Sequence, residues 1–160
     1  MPTSSMKVDR LKDVLTSLSN LVQKEVLVGI PDSAPERKDN QPIGNAAIGY
    51  IQETGSPANN IPARPFLVPG VADAERAVSD RLGRAADAAL RADMETVDRQ
   101  MAAAGIKAQN SVRARINSGI DPELKDSTIA NRLRRGRTGT VPLIDSGQLR
   151  NSITYVVRKK

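Results

Sequence analysis

The stretch VADAERAVSDRLGRAADAALRADMETVDRQMAAA, residues 71–104, decides the fold. Val71, Ala74, Val78, Leu82, Ala85, Ala89, Val97, Met101 and Ala104 fall on one stripe, while Asp and Arg fill the other positions, which is the pattern of an amphipathic helix. Read as one helix, it reaches about 50 Å at a rise of ~1.5 Å per residue. A helix of that length in so small a chain is expected to project or to pack against neighbouring copies, with Gly83 and Gly105 as its weak points. The period continues through Ile106, Ala108, Val112 and Ile116 and stops near Gly119 and Pro122.

Upstream, Val8, Leu11, Leu15, Leu18 and Val22 recur at helical spacing, with Val14 and Leu21 beside them, and predict a helix over 8–22. Lys24 to Ile30 is rich in branched apolar residues and ends at Pro31, which predicts a strand. Residues 31–42 hold three prolines and five charges, so they cannot bury a face and are expected to form an exposed, mobile loop. Asn45 to Glu53 predicts a short helix stopped by Gly55. Pro57, Pro62, Pro65 and Pro69 then brace an extended segment.

Downstream, Ser127 to Leu133 predicts a helical piece capped by Asp126 or Ser127, and 134–141 a loop. A turn at Ser146-Gly147 leads to a strand from Ile153 to Val157. The fold class expected is α+β. One domain over 1–160 holds a small, mostly antiparallel sheet packed with one long helix, several short helices and extended loops. There is no internal repeat and no low-complexity tract.

The core must be aliphatic, because 160 residues contain two Tyr, one Phe and no Trp. Modest stability alone, and help from partners, is the expectation. No run approaches the roughly 18 apolar residues of a membrane span, and the N-terminus lacks a signal-peptide layout, so a soluble cytosolic protein with no membrane contact is expected. The absence of Cys excludes disulfides, thiolate nucleophiles and Cys-based metal sites. The absence of His removes the commonest general base and metal ligand. An enzyme is left with carboxylate and lysine chemistry, and no constellation for it is recognisable. No cofactor is expected.

Charge is uneven. Residues 1–106 carry 12 basic and 14 acidic side chains, and residues 107–160 carry 12 basic and 4 acidic, so the net +6 resides in the last third. The density peaks at Arg132, Arg134, Arg135 and Arg137, which reads either as a polyanion or acidic-partner contact or as a solvated basic loop over 132–141. Gly136-Arg137-Thr138-Gly139-Thr140 lacks the Gly-Lys-Ser/Thr ending of a phosphate loop and the strand before it. Asp145-Ser146-Gly147 reads as a helix start with Ser146 as cap and Asp145 adding favourable charge, since no His or Lys motif supports a nucleophile. Asp121, Glu123 and Asp126 read as helix-start chemistry rather than a metal cluster.

Two stretches carry more. Tyr50-Ile51-Gln52-Glu53-Thr54-Gly55-Ser56, followed by Ile61-Pro62-Ala63-Arg64-Pro65-Phe66-Leu67, joins a helix to a proline-braced strand. Pro142-Leu143-Ile144-Asp145-Ser146-Gly147-Gln148-Leu149-Arg150-Asn151-Ser152-Ile153-Thr154-Tyr155 is the second. Together they resemble the minor head–tail joining proteins of tailed bacteriophages, known as neck, tail-completion or virion-morphogenesis proteins. Thr54 stands where that family often has an aromatic, and Ser146 where it usually has Thr. The resemblance covers about residues 24–157.

The resemblance implies a non-enzymatic structural protein of the phage neck or tail end. Such a protein forms a six- or twelve-fold homo-oligomeric ring that completes the tail and joins it to the head around the DNA channel. It is assembled in the bacterial host cytoplasm. Its partners are neighbouring neck, connector or tail-terminator proteins, with non-specific contact to genomic double-stranded DNA. Glu53, Gly55, Arg64, Pro65, Phe66, Asp145, Ser146, Gly147 and Leu149 are then packing or interface residues, with Phe66 expected in a packed site. Arg132, Arg134, Arg135 and Arg137 are the candidate contacts to an acidic partner or to DNA phosphate. The competing reading is a sequence-independent nucleic-acid-binding protein that uses the basic last third; the scarcity of aromatics on which bases stack weakens it.

Overall fold

The stripe at 71–104 folds back on itself. In the computed structural model, which describes residues 10–33 and 43–160, it is divided among α3 (Leu67–Ala72), α4 (Glu75–Leu90) and α5 (Met94–Asn117). The single 34-residue helix is therefore corrected to a helical hairpin. A first interruption falls at Asp73–Ala74, and the reversal is neither at Gly83 nor at Gly105 but at Arg91–Asp93, where Ala92 takes φ 59°. There the Asp93 N–H donates to the Ala88 carbonyl at 2.9 Å, and the Asp93 carboxylate accepts from the Thr96 N–H at 3.0 Å to cap α5. The physical reason is burial: one straight helix leaves its apolar stripe in water, whereas folding back lets its two halves cover each other. Ala85, Ala88 and Ala89 of α4 meet Val97 and Met101 of α5 in one core cluster. The small alanines let the two backbones approach closely.

Around the hairpin stand α1 (Leu11–Val22), β1 (Lys24–Gly29), α2 (Asn45–Thr54), α6 (Asp126–Arg134), α7 (Gln148–Ser152) and β2 (Thr154–Lys159). The α+β class holds, with α5 packed against a two-stranded antiparallel sheet. Its register pairs Val26 with Val157, Leu27 with Val156 and Val28 with Tyr155. Gly105 of α5 is needed there, because a Cβ would stand 2.2 Å from the Tyr155 ring. Leu18, Leu21, Val26 and Val157 pack against the hairpin cluster. A second cluster gathers Phe66, Val112, Ile116 and Ile153, flanked by Val28, Ile30, Leu143 and Ile144.

Other expectations move by less. Pro69, read as part of an extended brace, lies in the first turn of α3, where a missing N–H costs nothing. Lys125, not Asp126 or Ser127, is the N-cap residue of α6. Of the segment 31–42, expected to be an exposed, mobile loop, residues 34–42 lie outside the described residues.

Candidate functional site

The residues singled out in the sequence come together where α2, the 61–67 brace, α6 and the 139–147 loop meet. Glu53, in the last turn of α2, turns its carboxylate onto the start of α3. Oε2 accepts from the N–H groups of Phe66 at 2.7 Å and Leu67 at 2.8 Å, and Oε1 from that of Val68 at 3.0 Å. A negative group on three orphan donors at a helix N-terminus satisfies the hydrogen bonds and the dipole together. Gly55 ends α2 at φ 77°, where a Cβ would meet the Ala63 nitrogen at 2.8 Å, so no side chain fits. The Arg64 N–H then donates to the Gln52 carbonyl at 2.6 Å, and Phe66 enters the second core cluster with 1% exposure, as expected. Pro65 beside it is exposed.

Arg64 is buried. Its Nε donates to the Pro122 carbonyl at 2.7 Å and its Nη2 to the Glu123 carbonyl at 2.9 Å, fixing the α5–α6 connection to the brace. Burial, and secondarily the nearby Arg132 guanidinium, lower its pKa from the ordinary arginine value.

The four candidate arginines divide, and here the basic-loop reading is corrected. Arg132 lies in α6 and is buried. Its Nη1 reaches the carbonyls of Gly139 at 2.8 Å, Val141 at 3.1 Å and Ile144 at 2.9 Å, and its Nε stands 3.7 Å from Asp145 Oδ1. Arg137 pairs with the other oxygen of Asp145. Arg134, still in α6, donates to Asn131, and Arg134 and Arg135 are exposed. Two of the four thus hold their own loop, and two face outward. The reason is local: the bare carbonyls of a glycine-bearing loop need donors, and Arg132 supplies them.

Asp145 is therefore an ion-pair acceptor and not a charge for a helix start. Ser146 is not the cap either. Gly147, at φ 76°, is the N-cap residue of α7, and the Ser146 hydroxyl accepts from Gln148 Nε2 at 3.0 Å. Leu149 is buried where α7 meets α2. One residue that the sequence did not flag matters here: Arg113 of α5 donates from Nη2 to the Ile153 carbonyl at 2.6 Å and holds the α7–β2 junction. No sequence signal marks it, because its acceptor is a backbone oxygen 40 residues away.

These residues enclose an open groove of about 990 Å³, lined by Gln52, Gly55, Arg64, Arg132, Asp145 and Gly147 among others. Arg64, Arg132 and Asp145 are spent on backbone carbonyls and on ion pairs, which makes this wall a lock between segments. Among the described residues, no three His, Cys, Asp or Glu side chains are grouped to hold a metal, and no helix is long and apolar enough to cross a membrane. No protein-family model, no curated protein and no solved structure matches the chain.

Proposed function

We propose that the protein is a structural component of a bacteriophage neck or tail end, a ring subunit that completes the tail and joins it to the head. The observation that carries this reading is the convergence of the two resembling stretches on one groove, where Gln52, Gly55 and Arg64 of the first stand with Asp145, Gly147 and Leu149 of the second. Residues in and beside these stretches act as locks on backbone: Glu53 on 66–68, Arg64 on 122–123, and Arg132, paired with Asp145, on 139–144. Residues whose work is to fix three distant segments suit a family in which motif and shape go together. The aliphatic core and the exposed apolar side chains on several helices suit a subunit that gains buried area from neighbours. Neck, connector or tail-terminator proteins are the partners, and the virion is the location.

The runner-up reading, sequence-independent binding of nucleic acid, is left with a smaller basis. Arg134, which donates to Asn131, and Arg135 are exposed and can meet phosphate, whereas Arg132 and Arg137 are engaged within the fold. The deciding experiment removes the gene from the phage genome that carries it and images the lysate by electron microscopy. Separate full heads and tails, with the protein found by mass spectrometry in wild-type particles, are expected. Joined, infectious particles without the protein refute the reading.

A further inference from the structure

The lock in the groove wall leaves two nitrogens over. Arg64 engages the 122–123 carbonyls through Nε and Nη2, and among the described residues its Nη1 has no partner. Arg132 engages three loop carbonyls through Nη1 and sets Nε toward Asp145, and its Nη2 likewise has none. Both residues are more than nine-tenths buried, at 7% and 9% exposure. Neither nitrogen is sealed from solvent as the Nε atoms of Arg113 and Arg115 are, and both residues line the groove. The two spare nitrogens therefore open into it.

Buried positive charge exceeds what answers it there. Among the described residues, Arg64 has no carboxylate within ion-pair distance. Asp145 is shared by Arg132 and Arg137, so three guanidinium groups stand against one carboxylate. Lys125 and Glu123, on the rim, are exposed and of opposite sign. Backbone carbonyls satisfy hydrogen bonds without cancelling a full charge, and an arginine buried this deeply is ordinarily paired. The lowering of the Arg64 pKa by burial and by Arg132 reports the same imbalance. The walls around these groups are apolar, with Ile48, Ile61, Leu143 and Leu149 lining the same groove. At about 990 Å³ it has the size of a ligand pocket.

We propose that the groove is a docking site for an acidic side chain of a partner polypeptide, a Glu or Asp flanked by apolar residues, whose carboxylate is met by Arg64 Nη1 and Arg132 Nη2. Charge complementarity selects the carboxylate, and the apolar walls select its carrier. A nucleic-acid phosphate brings no apolar groups to cover Ile61 and Leu143, and it finds exposed Arg134 and Arg135 outside the groove. A carboxylate between two guanidinium groups accepts charge-assisted hydrogen bonds, which are strongest where water is kept away. The inference names the chemistry of a partner and stands whether or not that partner belongs to a phage neck.

The test titrates the nitrogen-15-labelled full chain with acetyl-leucyl-glutamyl-leucinamide and with its glutaminyl counterpart, and follows the N–H signals by nuclear magnetic resonance. The glutamyl peptide is expected to shift the Arg64 and Arg132 guanidinium signals and to bind at least tenfold more tightly than the glutaminyl one. Thr128, exposed on the groove and one turn before Arg132 in α6, supplies the variant. Thr128→Glu places a carboxylate of the chain's own beside the same guanidinium. It is expected to keep the fold and to weaken the glutamyl peptide at least tenfold, while Thr128→Gln binds as wild type. If Thr128→Glu misfolds, the two peptides compared on the wild type decide alone. No shift with the glutamyl peptide at ~10 mM, where a millimolar contact is more than half filled, overturns the proposal. So do equal binding of the two peptides, shifts confined to residues outside the groove, and undiminished binding by a folded Thr128→Glu. Inorganic phosphate that shifts the same signals at equal or lower concentration also overturns it, and assigns the site to phosphate.

Discussion

Arg132→Gln separates the two kinds of arginine in the basic segment. Nη1 carries two N–H groups, so its three carbonyl acceptors at 2.8, 2.9 and 3.1 Å share two donors. Two hydrogen bonds from a charged donor are worth about 3–6 kcal/mol, of which the loop carbonyls recover part by meeting water once the loop opens. Asp145, about a third exposed, adds little of its own. The net loss expected is about 2–4 kcal/mol. For a chain of this length that lowers the melting temperature by about 5–15 °C. Arg134→Gln and Arg135→Gln, made at exposed positions, should stay within ~2 °C, because surface charges contribute about 0–1 kcal/mol. Far-ultraviolet circular dichroism of the three variants gives the comparison, and trypsin digestion gives a second view, since a released 136–145 loop exposes Arg137. Arg132→Lys should fall between wild type and Arg132→Gln, keeping the charge but losing the fork. An Arg132→Gln protein that melts with Arg134→Gln would refute the assignment of Arg132 as the loop's anchor.

Three further outcomes are expected. Glu53→Gln leaves one oxygen for three backbone donors and turns an amide donor toward them, costing about 2–3 kcal/mol by urea unfolding; a loss below ~0.5 kcal/mol would show the α3 cap to be idle. Phe66→Ala, in a site with 1% exposure, should cost about 3–5 kcal/mol by the same measurement, and near-wild-type stability would contradict its burial. Hydrogen bonds from the Thr96 hydroxyl and N–H hold the Asp93 carboxyl below the usual carboxylate range. A lowered folded pKa gives stability that is present above the unfolded value and lost as pH falls through the folded one, so Asp93→Asn should flatten the acid-side decline in melting temperature below about pH 4. An unchanged acid slope would mean that Asp93 does not cap α5.

Local pattern carried the sequence reading as far as local pattern reaches. α1, β1, α2 and β2 were legible from apolar period and from Gly55, because the forces that shape them act within a few residues. The hairpin was not, since the apolar stripe keeps its period through Arg91–Asp93 and no Gly or Pro marks the reversal. The signal present was Asp93 followed by Thr96 and Glu95, a helix start in the middle of a helix. α1 shows the converse limit: the stripe that identified the helix is mostly not the face it buries, as Ser17 lies inward and Leu15 outward. Arg132 looked like its neighbours Arg134 and Arg135 because its acceptors depend on how the 139–144 loop closes, which no spacing records. Glu53 and Arg64 stood out through the resemblance alone, and their partners, backbone groups 13 to 59 residues away, were invisible in the sequence.

The pairing of β1 with β2 bears on how the chain is made. Gly29 finds Thr154 only after about 125 intervening residues have emerged. At ~5–20 residues per second, β1 waits about 6–25 s on the ribosome for its partner. During that interval the α4–α5 hairpin, whose contacts are local, can already form, while the face of α5 that takes Tyr155 and Val157 stands uncovered. A ribosome that stalls before residue 154 therefore releases a chain with a formed hairpin, an orphan strand edge and a bare apolar surface. Those are marks by which quality control tells an unfinished chain from one that has closed its sheet.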